Sequence, residues 1–287
     1  MTEIVFFGTG GGRINLIRQI RGTGGFRINS KSANIHVDPG PGALVNSRRY
    51  RHSPLTLDAV IITHRHIDHS NDGNLMVEAM SNYALSKNGI LIASKNTLDP
   101  KDGDRGVTKY HQGHADEVYA AVPGETRKFK TKKGEFEMDI IKVYHDEGSE
   151  FGFRIRIDGK TIGYTSDTEY RSEMGKKFEG CDILIANCLK PTADGIPDHM
   201  ETKDIVELVN TAKPKLCVIT HLGLTMVRIG PEKEAMKIEK ATGVRTIAAK
   251  DGMAVGNNLE LQFHETYKKE TPSKQDLEDE KFAEKEI

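Results

Sequence analysis

"IITHRHIDHSN", residues 61–71, puts three histidines and an aspartate within six positions, directly behind an apolar run. The run Ala59–Ile62 is continuous rather than alternating, which suits a β-strand covered on both faces. His64, His66, Asp68 and His69 therefore fall just past the C-terminal end of a buried strand. At neutral pH such groups crowd and partly repel unless a cation sits among them. Residues two apart in an extended segment point the same way, so His64 and His66 can grip one ion while Asp68 and His69 face a second position. Imidazole nitrogen and carboxylate oxygen are ligands that Zn²⁺, Mn²⁺ and Fe²⁺ accept. The rival reading, a histidine-rich solvated loop, leaves the strand-end placement without a reason.

Working outward, the first half reads as short β-type runs cut by glycine turns: EIVFF, GTGGGR, ANIHVD closed by PGPG, and DAVIIT. Residues 74–85 have helical apolar spacing, and GILIAS follows as a strand. Between residues 98 and 124 the pattern dissolves, predicting an irregular surface excursion with a lid as one of its readings. Strand signals return over 135–144, 151–157 and 160–165, with Asp158-Gly159 as a hairpin turn. Beyond them strand and helix alternate: DILIAN, a helix over 202–210, LCVITH, a helix over 232–241, and VRTIAA. This pattern predicts two sheets with helices outside. A single domain is expected over residues 1–265, with 266–287 as a charged tail that frays or forms an exposed helix.

Four ligands cannot close two metal shells, so further ligands are expected at other strand ends. His145 ends IIKVYH, Asp167 ends TIGYTSD and His221 ends KLCVITH. One histidine after a strand is ordinarily a satisfied polar residue. Three ligand-type residues in succession, each closing an apolar run, ask for a shared cause.

On FFGTGGG, HVDPGPG, THRHIDH, His145, YTSDT and THLG, over about residues 1–255, the chain resembles the metallo-β-lactamase superfamily. The resemblance implies a four-layer αββα sandwich with metals at the strand ends. It implies one ion held by His64, His66 and His145, another by Asp68, His69 and His221, and Asp167 bridging them. The expected cofactors are two divalent ions, Zn²⁺ first, with Mn²⁺ or Fe²⁺ as alternatives. An aspartate like Asp38 supports such a site from behind.

Two divalent ions about 3.5–4 Å apart can hold a hydroxide and receive phosphate oxygens, with Asp68 the candidate to orient the nucleophile. The superfamily hydrolyses many bonds, so the fold alone leaves the substrate open. His199, in GIPDHMETKDIVELV, resembles the extra histidine of tRNA 3′-endonucleases and related small phosphodiesterases. Its expected role is a catalytic one, assisting the phosphate or the leaving oxygen. The alternative places it in a helix-entry loop, with Glu201 or Thr202 near the cap. About twenty residues separate His145 from Asp167, too few for the protruding arm of bacterial-type tRNA 3′-endonucleases, and HMET replaces the usual HST.

The expected activity is therefore a phosphodiesterase acting on a nucleotide-like or small organic diester, with RNA less favoured. The alternatives are a tRNA 3′-endonuclease, a glyoxalase-type thioesterase and a non-catalytic metal-binding protein. Members of the superfamily often dimerise, which makes a homodimer one of the expectations.

Composition sets the outer limits. The chain has 287 residues, 37% hydrophobic and 29% charged, with 41 basic against 42 acidic side chains. Such balance advertises no nucleic-acid or membrane partner by itself. No apolar run approaches the roughly 20 residues that span a bilayer, and the start lacks the features of a secretory signal. Cys181, Cys188 and Cys217 have no CxxC spacing, so a reduced, cytoplasmic protein is expected, with Cys188 structural. GTGGG lacks a following GK[ST], so its glycines read as a tight turn, with Arg13 a candidate for meeting phosphate. His111 and His114 read as surface or lid residues, with a third metal site a minor reading, and His36 as a packed side chain.

Overall fold

The computed structural model describes residues 2–146, 148–191 and 197–264. The first sheet is built from β1 (Glu3–Phe6), β2 (Phe26–Asn29), β3 (Asn34–Val37), β4 (Ala59–Ile62), β5 (Ile90–Ala93) and β6 (Glu117–Ala120). The second comprises β7 (Thr126–Lys130), β8 (Glu135–Lys142), β9 (Phe151–Ile157), β10 (Lys160–Tyr164), β11 (Ile183–Asn187), β12 (Leu216–Thr220) and β13 (Thr246–Ala248). The chain then returns to the first sheet as β14 (Met253–Val255) and β15 (Leu261–Phe263). The sheet orders are β15-β14-β1-β2-β3-β4-β5-β6 and β13-β12-β11-β10-β9-β8-β7.

The expected αββα sandwich is what forms. Between the sheets lies one apolar cluster, including Phe6, Ile28, Ile61 and Ile92 from the first sheet and Ile140, Phe153, Ile162 and Val218 from the second. Val60 and Ile62, on the opposite face of β4, pack on Met76, Val77 and Met80 of the helix Gly73–Met80. Leu184 and Ala186 of β11 meet Ile205, Leu208 and Val209 of the helix Thr202–Ala212. Strands β4, β5, β11 and β12 are thus buried on both faces, which accounts for their unbroken apolar sequences.

Two expectations are corrected, and several elements went unpredicted. The helix expected over 74–85 spans only Gly73–Met80: Asn82, Tyr83 and Ala84 turn to positive φ, and the Asn88 amide donates to the Met80 carbonyl at 2.7 Å. The excursion is partly regular, with a turn of helix at Lys109–Gln112 and the strand β6 pairing parallel to β5. Strands β6 and β7 went unseen because each buries a single side chain, Tyr119 and Phe129, so neither alternates visibly. Short helices at Arg13–Arg18, Ala43–Arg49 and Leu224–Ile229 each follow a glycine and are too brief for a periodic signal. The charged tail lies outside the described residues.

Candidate metal centre

Strands β4, β8, β10, β11 and β12 all end on one edge of the sandwich, where ligand sites of open α/β sheets gather. The seven ligand-type residues and His199 come together there. His64 Nε2 lies 3.1 Å from His66 Nδ1, which lies 3.2 Å from His145 Nε2. On the other side His69 Nε2 and His221 Nε2 are 3.2 Å apart, and His221 Nε2 is 3.3 Å from Asp68 Oδ2. Asp167 Oδ2 faces both groups, 3.3 Å from His69 Nε2, 3.4 Å from His221 Nε2, 3.9 Å from His64 Nε2 and 4.0 Å from His145 Nε2. His199 Nε2 stands 3.3 Å from the same oxygen.

Four of the rings have acceptors for their outward-facing nitrogens, whereas His221 Nδ1 is buried without a partner. His69 Nδ1 donates to Asp38 Oδ2 at 2.9 Å, His145 Nδ1 to the Asp198 carbonyl at 2.9 Å, and His199 Nδ1 to the Pro197 carbonyl at 3.2 Å. His66 Nε2 donates to Asp146 Oδ2 at 3.0 Å. With those protons placed, the inward nitrogens of the neutral rings turn their lone pairs toward a common centre, as metal-ligating imidazoles do. Two nitrogens on one tetrahedral ion with bonds of about 2.0–2.1 Å stand about 3.4 Å apart, close to the spacings found here. The donor set therefore fits borderline divalent metals.

Electrostatics agree with crowding. Burial pushes the His64 imidazole well below its ordinary value, and nearby His69 adds to that. His69 is pushed down by burial too, but Asp167 and Asp38 outweigh it and hold the ring well above the usual value. Burial opposes the charge of Asp68, yet the hydrogen bond and charge of His221 and the charge of His69 hold its carboxyl well below the normal range. His199 is raised: burial lowers it, and the hydrogen bond and charge of Asp167 more than compensate.

The backbone is strained at four residues around the centre. Asp38, Ser166, Asp198 and His221 all adopt left-handed φ, at 50°, 57°, 65° and 55°. Such conformations in residues with a β-carbon persist only where surrounding contacts over-determine them. The glycine loop after β1 supplies part of that constraint. Leu222 N donates to the Thr9 carbonyl at 2.8 Å, and Gly11 N to the Leu222 carbonyl at 3.2 Å. A β-carbon on Gly11 would come within 2.2 Å of His221 Nδ1, so only glycine fits. Gly12 N reaches Asp68 Oδ2 at 3.3 Å.

Several supporting residues carried no sequence signal of their own. Asp146 was hidden beside His145, Tyr164 read as an ordinary strand residue, and Asn187 closes β11. Asn187 donates to Asp167 Oδ1 at 2.7 Å and to the Tyr164 hydroxyl at 3.2 Å. Other candidates lie elsewhere. Arg13 is exposed, His111 pairs with Glu78 at 2.8 Å, and His114 bonds the Tyr110 carbonyl. Cys188 is fully buried, its thiol pushed up by burial, and His36 is fully buried beside Phe7.

Two facing sheets with a histidine–aspartate cluster at their strand ends define a metallo-hydrolase of the αββα class. The beta-lactamase superfamily domain matches residues 33–222, and the chain belongs to the metallo-β-lactamase superfamily. It is 36% identical to an uncharacterized protein of Methanocaldococcus jannaschii, covering 88% of this chain and 94% of that one. It is 25% identical to a ribonuclease Z of Thermococcus kodakarensis, covering 88% and 93%. Among solved structures, the metallo-beta-lactamase fold protein YhfI of Bacillus subtilis superposes with a TM-score of 0.71 at 21% identity, over 88% of this chain and 98% of that chain, which speaks to the fold. Among the described residues no helix is long and apolar enough to cross a membrane.

Proposed function

We propose that the protein is a dinuclear metal-dependent phosphodiesterase acting on a nucleotide-like or small organic diester. The observation carrying this reading is the convergence of five imidazoles on Asp167 Oδ2, four of them from two ligand groups that share that oxygen and the fifth from His199. In this reading His64, His66 and His145 hold one ion, Asp68, His69 and His221 the other, and Asp167 bridges. Two divalent ions, Zn²⁺ first with Mn²⁺ or Fe²⁺ as alternatives, supply when bound a water-derived nucleophile at neutral pH and positive charge for phosphate oxygens.

The remaining work falls to side chains. Asp68, held by Gly12 N and facing His221, orients the attacking group. His199, anchored through Nδ1 with Nε2 turned inward, gives a proton to the departing alkoxide, which leaves poorly without one. Glu201 caps the following helix reciprocally with Asp204 and so fixes the approach of His199. The test is hydrolysis of bis(p-nitrophenyl) phosphate by protein reloaded separately with Zn²⁺ and Mn²⁺. Metal-dependent turnover is expected, and none with two metals bound per chain refutes the reading.

The similarity to an archaeal ribonuclease Z favours a second reading, a tRNA 3′-processing endonuclease. Against it, the interval from His145 to Asp167 is filled chiefly by the hairpin of β9 and β10, with no protruding arm among its described residues. Cleavage of a precursor tRNA at its 3′ boundary would reverse the order of the two.

A further inference from the structure

At the start of β1, away from the metal centre, Glu3 meets two histidines from distant parts of the chain. His52 comes after the helix Ala43–Arg49, and His264 directly follows β15. Their Nε2 atoms are 3.4 Å apart, with the rings edge-on at 4.7 Å between centroids. His264 Nε2 lies 3.7 Å from Glu3 Oε1. One ligand-type atom from each of the three residues falls within 4.8 Å of the others.

The spacing is informative. Two imidazole nitrogens on one tetrahedral zinc ion stand about 3.4 Å apart. That is longer than a good hydrogen bond, so a bond between the two rings is a weak explanation for the pairing. Glu3 needs to close on His264 by a few tenths of an ångström and lies within 4.8 Å of His52, a movement the end of a partly exposed glutamate can make. Behind His52 stands Asn29, whose amide nitrogen is 3.3 Å from His52 Nδ1 and 3.2 Å from Glu3 Oε2. That amide donates to the Glu3 carboxylate and holds it beside the two rings.

We propose that Glu3, His52 and His264 form a separate structural metal site for one Zn²⁺-class cation, with water completing the shell. Its place in the fold gives it a purpose. All three residues of β15 are exposed, including Phe263 at 61%, so apolar burial holds this edge strand weakly. Pairing to β14 and the 2.9 Å bond from His264 N to the Gly252 carbonyl are its other ties. A cation joining positions 3, 52 and 264 clamps the edge strand to the first strand and to the loop at His52. Binding to the folded form alone stabilises it by mass action.

The test compares the metal-loaded protein with a His52→Ala/His264→Ala double variant and with Glu3→Gln, all equilibrated in buffered Zn²⁺. Wild type is expected to retain one more zinc per chain than the double variant. Zinc is also expected to slow amide exchange across Leu261–His264 in wild type alone. Equal zinc content in the two proteins overturns the proposal. If near-ultraviolet circular dichroism shows the double variant unfolded, Glu3→Gln decides, because it keeps shape and removes only the anionic ligand. An affinity weaker by about tenfold or more supports the site, and an unchanged affinity sinks it.

Discussion

Asp38 Oδ2 accepts the Nδ1 proton of His69 at 2.9 Å, and the same oxygen also accepts from Thr63 Oγ1 at 2.8 Å and the Tyr164 hydroxyl at 2.9 Å. One buried carboxylate thus fixes which nitrogen of His69 faces the centre, while tying β3, the loop after β4 and β10 together. The shared carboxylate makes ring orientation depend on both sheets.

Replacing Asp38 with alanine removes that orientation while leaving every proposed ligand present. Metal affinity is expected to fall about 10–100-fold. Competition with a chromophoric chelator measures it, and an affinity equal to wild type would mean that His69 needs no outer partner. Asp38→Asn, which tolerates the left-handed backbone better, should lose less stability than Asp38→Ala.

His199→Ala is expected to lower turnover by about 10²–10⁴-fold with an alkyl leaving group and by much less with p-nitrophenolate, which departs without a proton. Metal content per chain should not change. Equal losses with both leaving groups would point to a binding role rather than proton donation.

Gly11→Ala sets a β-carbon against the His221 ring. Overpacking of this kind costs about 1–3 kcal/mol, and here the displaced group is a proposed ligand. Both melting temperature and metal affinity should fall. A variant with full affinity would show that the glycine loop yields more readily than the histidine.

Acid stability should carry a signature of His36. Burial first, with Arg27 adding, lowers it to about 3, and its Nδ1 has no hydrogen-bond partner. The unfolded chain therefore binds a proton between pH 6.5 and about 3 that the folded chain refuses. The stability this contributes is complete above pH 6.5 and drains away as pH falls, at up to about 1.4 kcal/mol per unit. In metal-free protein held in chelator, denaturant titrations of His36→Gln should show a flatter acid limb than wild type. Parallel limbs would assign the acid sensitivity to other groups.

The centre was more legible in the sequence than its surroundings. His64, His66, Asp68 and His69 announce themselves because a solvated histidine-rich loop would not explain four titratable groups at the end of a buried strand, and His145, Asp167 and His221 share a position at the ends of apolar runs. Two sheets with helices outside followed from strand clusters and the strand–helix alternation after them, and the family resemblance implied the four-layer αββα order. Asp146 and Asn187 stayed hidden, since a single aspartate or asparagine beside a strand is common and its partner is set only when distant strands meet. Edge strands such as β6 escaped notice for the opposite reason: one buried side chain leaves no period to read.

The proposed ligands divide evenly enough between the sheets to matter for assembly. His64, His66, Asp68 and His69 follow β4, whereas His145, Asp167 and His221 follow β8, β10 and β12. Cation affinity and the docking of one sheet on the other are then reciprocal quantities, each strengthened by whatever strengthens its counterpart. If the proposed ions are bound, a chelator should loosen that single interface between the sheets rather than the whole fold. Conversely, a cavity opened at Phe153, deep between the sheets, should surface as weakened retention of metal at the rim.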